Sequence, residues 1–132
     1  MSRNYNRSFN LVPAATVLQA AFPVVSNEQF SQGYTGVEVT IDSTARTGGT
    51  SITPSIEEWD PAAQAWEATA MLTGAAITTA DTHYVLRIGP NVTAVTNLAL
   101  QRALPARWRV RVIETGTITS AAFSIGVNYF DS

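Results

Sequence analysis

The chain has 132 residues, no cysteine, and ten acidic against eight basic side chains, for a net charge of −2 and a pI near 5.2. That composition excludes a disulfide framework, thiolate catalysis and thiolate metal sites, and it supplies no basic surface of the kind nucleic acids require. The length is that of one domain, large enough to bury roughly two-thirds of its unfolded surface. Charged residues make up only 14% of the sequence, well under the usual quarter, a pattern that suits a surface partly covered by partners.

In chain order, residues 1–30 lack clean periodicity and are punctuated by Pro13 and Pro23. The segment "LVPAATVLQAAFPVV", residues 11–25, has the outward look of a secretory h-region, but Pro13, Gln19 and Pro23 interrupt it. It is too short to span a bilayer as a helix, so no membrane is expected as a partner. The reading adopted is an N-terminal arm over residues 1–30 that lies extended on its own domain or on a neighbouring subunit. Its apolar residues Leu11, Val12, Val17, Leu18 and Phe22 are candidate interface positions.

From residue 31 the pattern becomes β. "VEVTID" alternates strictly, with Val37, Val39 and Ile41 on one face. "STARTGGTS" is a turn in which Gly48-Gly49 supplies positive φ. "SITPSIEEW" resumes alternation through Ile52 and Ile56, and Pro54 points to a sheet edge or bulge. A strand over 65–72 with Trp66, Ala68, Ala70 and Leu72 on one face follows, then "HYVLRI", "RWRVRVIE" and "AFSIGVNYF". Only residues 92–104 carry helical spacing, and Pro105 ends it; three Thr/Asn positions make an irregular excursion an equal reading. Six or seven β runs with Gly, Pro, Asp and Thr turns give an all-β class, a β-sandwich or jelly-roll-like domain over residues 31–132.

"SIEEWDPAAQAWEAT", residues 55–69, gathers two tryptophans and four acids. Asp60-Pro61 predicts an Asx-type turn joining two strands. Glu57 and Glu67 are the candidate pair for two-carboxylate sugar chemistry, which needs its carboxyls about 5–9 Å apart on one substrate. Nothing else in the sequence supplies the acid's apolar pocket. Trp59 with Trp66 is a rival sugar platform, but the favoured reading puts Trp66 in the core and Trp59 against a loop or a neighbouring subunit. The lone His83, with Asp81 nearby, lacks a nucleophile-elbow serine. One histidine without cysteines makes no typical zinc site, and no calcium loop appears. No catalytic residue, metal or cofactor is expected. In "RWRVRV", Arg107, Arg109 and Arg111 share one strand face, either paired across strands with Glu38, Asp42, Glu57 or Glu114, or gripping carboxylates of another subunit.

The ordered motifs "TGVEVTIDSTARTGGTSITPSIEEWDPAAQAW", "TTADTHYVLRIGP", "ALPARWRVRV" and "ITSAAFSIGVNYF" resemble capsid decoration (cement) proteins of tailed bacteriophages and related small virion proteins. The resemblance spans about residues 33–130 and leaves the arm unmatched. It implies a non-enzymatic sandwich, assembled in the host cytoplasm and carried on the outer surface of the virion. As a homotrimer it would clamp the major capsid protein. The alternatives are a carbohydrate- or receptor-binding virion module, with Trp59 as its platform, and a tail or head–tail connector subunit.

Overall fold

The computed structural model describes residues 7–18, 21–79 and 82–131. Eleven strands lie among them: β1 (Arg7–Leu18), β2 (Val24–Val25), β3 (Gln29–Phe30), β4 (Gly36–Gly48), β5 (Ser51–Asp60), β6 (Ala65–Trp66), β7 (Leu72–Thr73), β8 (Thr82–Gly89), β9 (Ala99–Gln101), β10 (Arg107–Thr115) and β11 (Ile118–Phe130). They form two sheets. One has the order β1-β11-β4-β8-β9; the other runs β2-β10-β5-β6, with β3 also on β10 and β7 also on β5. Only β8–β9 is parallel. The class is all-β, and the domain is a two-sheet sandwich.

Its architecture follows from two long ribbons folded at glycine. β4 runs into β5 through Gly48-Gly49, both at positive φ, and β10 runs into β11 through Gly116, also at positive φ. β4 pairs with β11 in the first sheet while β5 pairs with β10 in the second. Each ribbon therefore changes sheet at its glycine turn, and the two turns meet: the Thr50 amide donates to the Thr115 carbonyl at 2.8 Å. A side chain at Gly49 would strike Ile118, so this corner needs glycine for its conformation and for its space.

Strict alternation fills the interior. Val37, Val39 and Ile41 on β4, Phe123, Ile125, Val127 and Tyr129 on β11, and Leu86 and Ile88 on β8 face Ile52 and Ile56 on β5 and Trp108, Val110 and Val112 on β10; all are buried. Tyr129 meets Trp108 edge-on at 5.9 Å between ring centroids and stacks on Tyr34 at 5.3 Å. Burial pushes its phenol pKa up to about 12.

Two details differ from expectation. The strand over 65–72 is broken into β6 and β7 with bends between, because the Met71 and Gly74 amides turn to the Ile56 and Pro54 carbonyls. Pro54, which has no N–H to give, thus faces these short partners rather than a continuous neighbour. Trp66 is half-buried at the surface, not in the core; Trp108 holds that place. Of the two readings of residues 92–104 the irregular excursion holds: they form turns and β9, with the Tyr84 hydroxyl donating to the Asn97 carbonyl.

The N-terminal segment lies on its own domain. β1 pairs antiparallel with β11 from Arg7↔Tyr129 to Leu18↔Ser120, with two register shifts around Val12. Phe9, Leu11, Val12, Val17 and Phe22 pack against the core. Val24-Val25 and Gln29-Phe30 then cross to β10 in the other sheet. The stretch expected as an arm is therefore an edge strand of one sheet and two short partners of the other.

Candidate functional site

The outer face of the second sheet gathers four of the nine candidate interface residues. Alternation sends Trp108, Val110 and Val112 inward, so Arg107, Arg109, Arg111 and Ile113 point out. Directly paired residues share a face. Register then adds Phe30 beside Arg107, Glu57 beside Arg109, Val25 and Ser55 beside Arg111, and Thr53 beside Ile113. Trp59 and Trp66 pair across the adjoining hairpin. One continuous surface carries three arginines, two tryptophans and three exposed apolar side chains: Phe30 at 50%, Ile113 at 42% and Val25 at 41%.

The three arginines are held differently. Arg107 donates through Nε to Glu28 at 2.8 Å, makes a second bond to the same oxygen, and lies 3.8 Å over the Trp59 ring. Arg109 donates to the buried Glu57 carboxylate at 2.8 Å and lies 4.2 Å over Trp66. The tryptophans meet edge-to-face at 5.4 Å. Guanidinium and indole thus interlock, each cation over a ring and on a carboxylate. Arg111 stands apart. Its ion pair with Glu57 is 3.7 Å long, and its Nε has no hydrogen-bond partner among the described residues.

This geometry decides several readings. Of the four acids named as cross-strand partners for the arginine row, Glu57 serves it. Glu28 serves it too and was not foreseen, since β3 carries no periodic signal. Glu38 pairs with Arg87 at 2.8 Å, and Glu114 accepts from the Ile118 amide at 3.2 Å. Asp42 lies on the opposite sheet, 3.8 Å from His83. A sugar ring cannot stack on the Trp59 face that Arg107 covers. Glu57 and Glu67 do not face one site: Glu57 is on the Arg109 face of β5, whereas Glu67 lies beside Glu58 and Asp60. Glu67 is raised from the ordinary carboxylate range by its hydrogen bond to Asp60. Asp60 is itself lowered by the Ala63 and Ala62 amides, which donate to Oδ1 at 3.2 and 2.9 Å. That is the Asx-type turn expected at Asp60-Pro61.

His83 lies on the outer face of the first sheet, in a shallow trough of about 480 Å³ with Asp42, Ser124 and Asn128. Register places Ser124, Asp42 and His83 in one row across β11, β4 and β8. The carboxylate therefore sits between the hydroxyl and the imidazole. Ser124 is two strands from His83, roughly 10 Å, and a Ser-His-Asp relay needs the histidine in the middle. Asp81 lies outside the described residues. Among the described residues no group of three or more His, Asp or Glu could hold a metal, and no helix is long and apolar enough to cross a membrane.

Of the candidate interface positions, Trp59, Arg107, Arg109 and Arg111 come together on the second sheet, and Phe22 borders that face beside Ile113 and Arg111. Leu11, Val12 and Val17 belong to β1, at the edge of the first sheet. Leu18 ends β1; its side chain lies outside the described residues.

No protein-family model and no curated protein matches the chain. Among solved structures, it is similar to a subunit described under "Bacillus endospore appendages form a novel family of disulfide-linked pili". The TM-score is 0.51 at 10% identity, over 98% of this chain and 92% of that one. Two structures of infectious bursal disease virus, the Gx strain and the VP2 subviral particle, give TM-scores of 0.49 and 0.47 at 11% identity. Both alignments take in 98% of this chain, which spans 33% of the length of each viral chain. At such identities the appendage likeness shows a shared fold alone, and the viral pair adds nothing to it.

Proposed function

We propose that this chain is a virion structural protein that decorates an icosahedral phage capsid, as a homotrimer bound to the major capsid protein on the outer surface of the shell, and that it catalyses no reaction. One observation carries the reading. The outer face along β10 joins exposed Phe30, Val25 and Ile113 to a row of arginines and two tryptophans, and aromatic and arginine side chains beside apolar ones are the composition of protein-binding surfaces. The sequence resemblance to decoration proteins supports the same reading. The interlocked arginines and tryptophans hold that face rigid, so little side-chain entropy remains to be lost on docking. Many copies on one shell would add modest single-site affinities into a durable clamp.

The test is co-sedimentation of the purified chain with particles stripped of it. Saturable binding at a fixed number of copies per particle, with restored heat resistance, is the expected result. Particles that bind none of it would end the proposal.

A second reading has an observation of its own: the fold likeness to the appendage subunit covers nearly all of both chains. On that reading the chain polymerises with itself. It has no cysteine, so any filament would need non-covalent contacts, such as strand addition at the free edge of β1. Electron microscopy of the concentrated pure protein separates the two, with fibres favouring the second and discrete small oligomers the first.

A further inference from the structure

Two depressions on the second sheet share a wall. One, about 150 Å³, is lined by Phe22, Pro23, Arg111, Ile113 and Glu114. The other, about 260 Å³, is bordered by Arg111 and Ile113 together with Ala68 and Ala70 from the segment between β6 and β7. Arg111 and Ile113 form the ridge between them. The first depression is apolar through Phe22, Pro23 and Ile113, the second also carries Thr53, Ser55, Glu57 and Thr73, and the Arg111 side chain at their junction is 40% exposed.

The charges there do not balance. Glu57 is the only carboxylate paired with Arg109 and Arg111 among the described residues, and its short bond goes to Arg109. Glu114, the other acid at this site, is turned to the Ile118 amide. Arg111 is left with a long ion pair and an Nε–H that meets no acceptor among the described residues. A guanidinium presents its donors as a planar fork suited to one carboxylate, and with Nε shielded from water the Nη groups are the ones an incoming group can reach. An incoming carboxylate would meet the Nη groups, which among the described residues hold only the 3.7 Å pair with Glu57, with Phe22, Pro23 and Ile113 receiving the carbon chain that carries it.

We infer that Arg111 and the groove across Ile113 form a docking site for a carboxylate side chain flanked by an apolar residue, presented on an extended segment of the partner protein. This rests on the reading that the chain acts by adhering to another protein, and it names the anchor. Arg107 and Arg109 are not the anchor, because each already has a short carboxylate bond and a ring. Their role is to hold the face in shape.

The test separates the site from the shell. Side-chain Nε–H resonances of the arginines are followed by NMR in the full-length protein as 4-methylpentanoate is added, with its neutral amide as the control. A saturable shift of the Arg111 signal with the acid and none with the amide is expected, while Arg107 and Arg109 stay still. Arg111→Met should abolish the response and leave the amide backbone spectrum otherwise intact. No saturable shift, an equal response to the amide, or a shift centred on Arg107 or Arg109 would overturn the assignment. A second arm measures co-sedimentation of Arg111→Met with particles. At least tenfold weaker binding supports the site as the docking point, and unchanged binding overturns that role even where the acid binds. If the unaltered chain binds no particle, it is the capsid reading that fails, and the NMR result alone decides the site.

Discussion

The unequal holding of Arg109 and Arg111 by one carboxylate can be measured as a pair of double-mutant cycles. Glu57 is 6% exposed and accepts from Arg109 Nε at 2.8 Å, whereas Arg111 approaches no nearer than 3.7 Å. A hydrogen bond to a charged group contributes about 1.5–3 kcal/mol, and breaking a fully buried pair costs about 3–5 kcal/mol. The Arg109 side chain is 22% exposed, so it recovers part of its hydration when Glu57 is removed. Glu57→Ala should therefore cost about 2–3 kcal/mol, within the range those two limits set. Combined with Arg109→Ala, the coupling should be about 1.5 kcal/mol. Combined with Arg111→Ala, at 40% exposure, it should fall below about 0.5 kcal/mol, as for other exposed pairs. Urea unfolding followed by far-UV circular dichroism gives each value, and an unchanged m-value shows that the fold is kept. Equal couplings for the two arginines, or a Glu57–Arg109 coupling below about 0.5 kcal/mol, would refute the distinction on which the docking site depends.

Three further predictions concern the frame. Gly49→Ala should destabilise by about 1–3 kcal/mol more than Gly33→Ala, because both sites have positive φ but only Gly49 has Ile118 against the new methyl, with nothing within 4 Å at Gly33; equal losses in urea unfolding would contradict the packed corner. The raised Tyr129 phenol, at about 12, means that the unfolded chain ionises first. Stability should thus fall as pH rises from about 10 toward 12, by at most about 2–3 kcal/mol, and Tyr129→Phe should flatten that slope; an identical slope in the variant would show the group to be uninvolved. Deleting residues 1–18 removes β1 from nine paired positions on β11 and takes Phe9, Leu11, Val12 and Val17 off the core, which should expose apolar surface, lowering stability and raising light scattering. A monomeric truncation as stable as the parent would make β1 dispensable to the fold.

The sandwich was legible because its central strands alternate without interruption. Val37–Val39–Ile41 and Phe123–Ile125–Val127–Tyr129 announce a buried face through period two alone, and Gly48-Gly49 marks the corner. What escaped was set by tertiary partners. Trp66 has the same pattern as a core residue, yet Arg109 stacks on it at the surface. The core place went to Trp108 because β10 lies between β2 and β5 in its sheet. Glu28 has no periodic neighbour to flag it and becomes visible only when Gln29-Phe30 docks beside Arg107. The arginine row itself was readable from "RWRVRV", and Ile113 follows in the same phase. That Arg111 alone of the row would be left underpaired was not, because the share of one carboxylate between two cations turns on 2.8 against 3.7 Å across strands.

Site-specific photocrosslinking within assembled particles tests the account most directly. A photoreactive residue at Ile113, on the β10 face, should crosslink the chain to the major capsid protein, while one at Asp42 on the opposite sheet should not. Crosslinks to that protein from Asp42 and none from Ile113, or no crosslink to any protein from either, would contradict it.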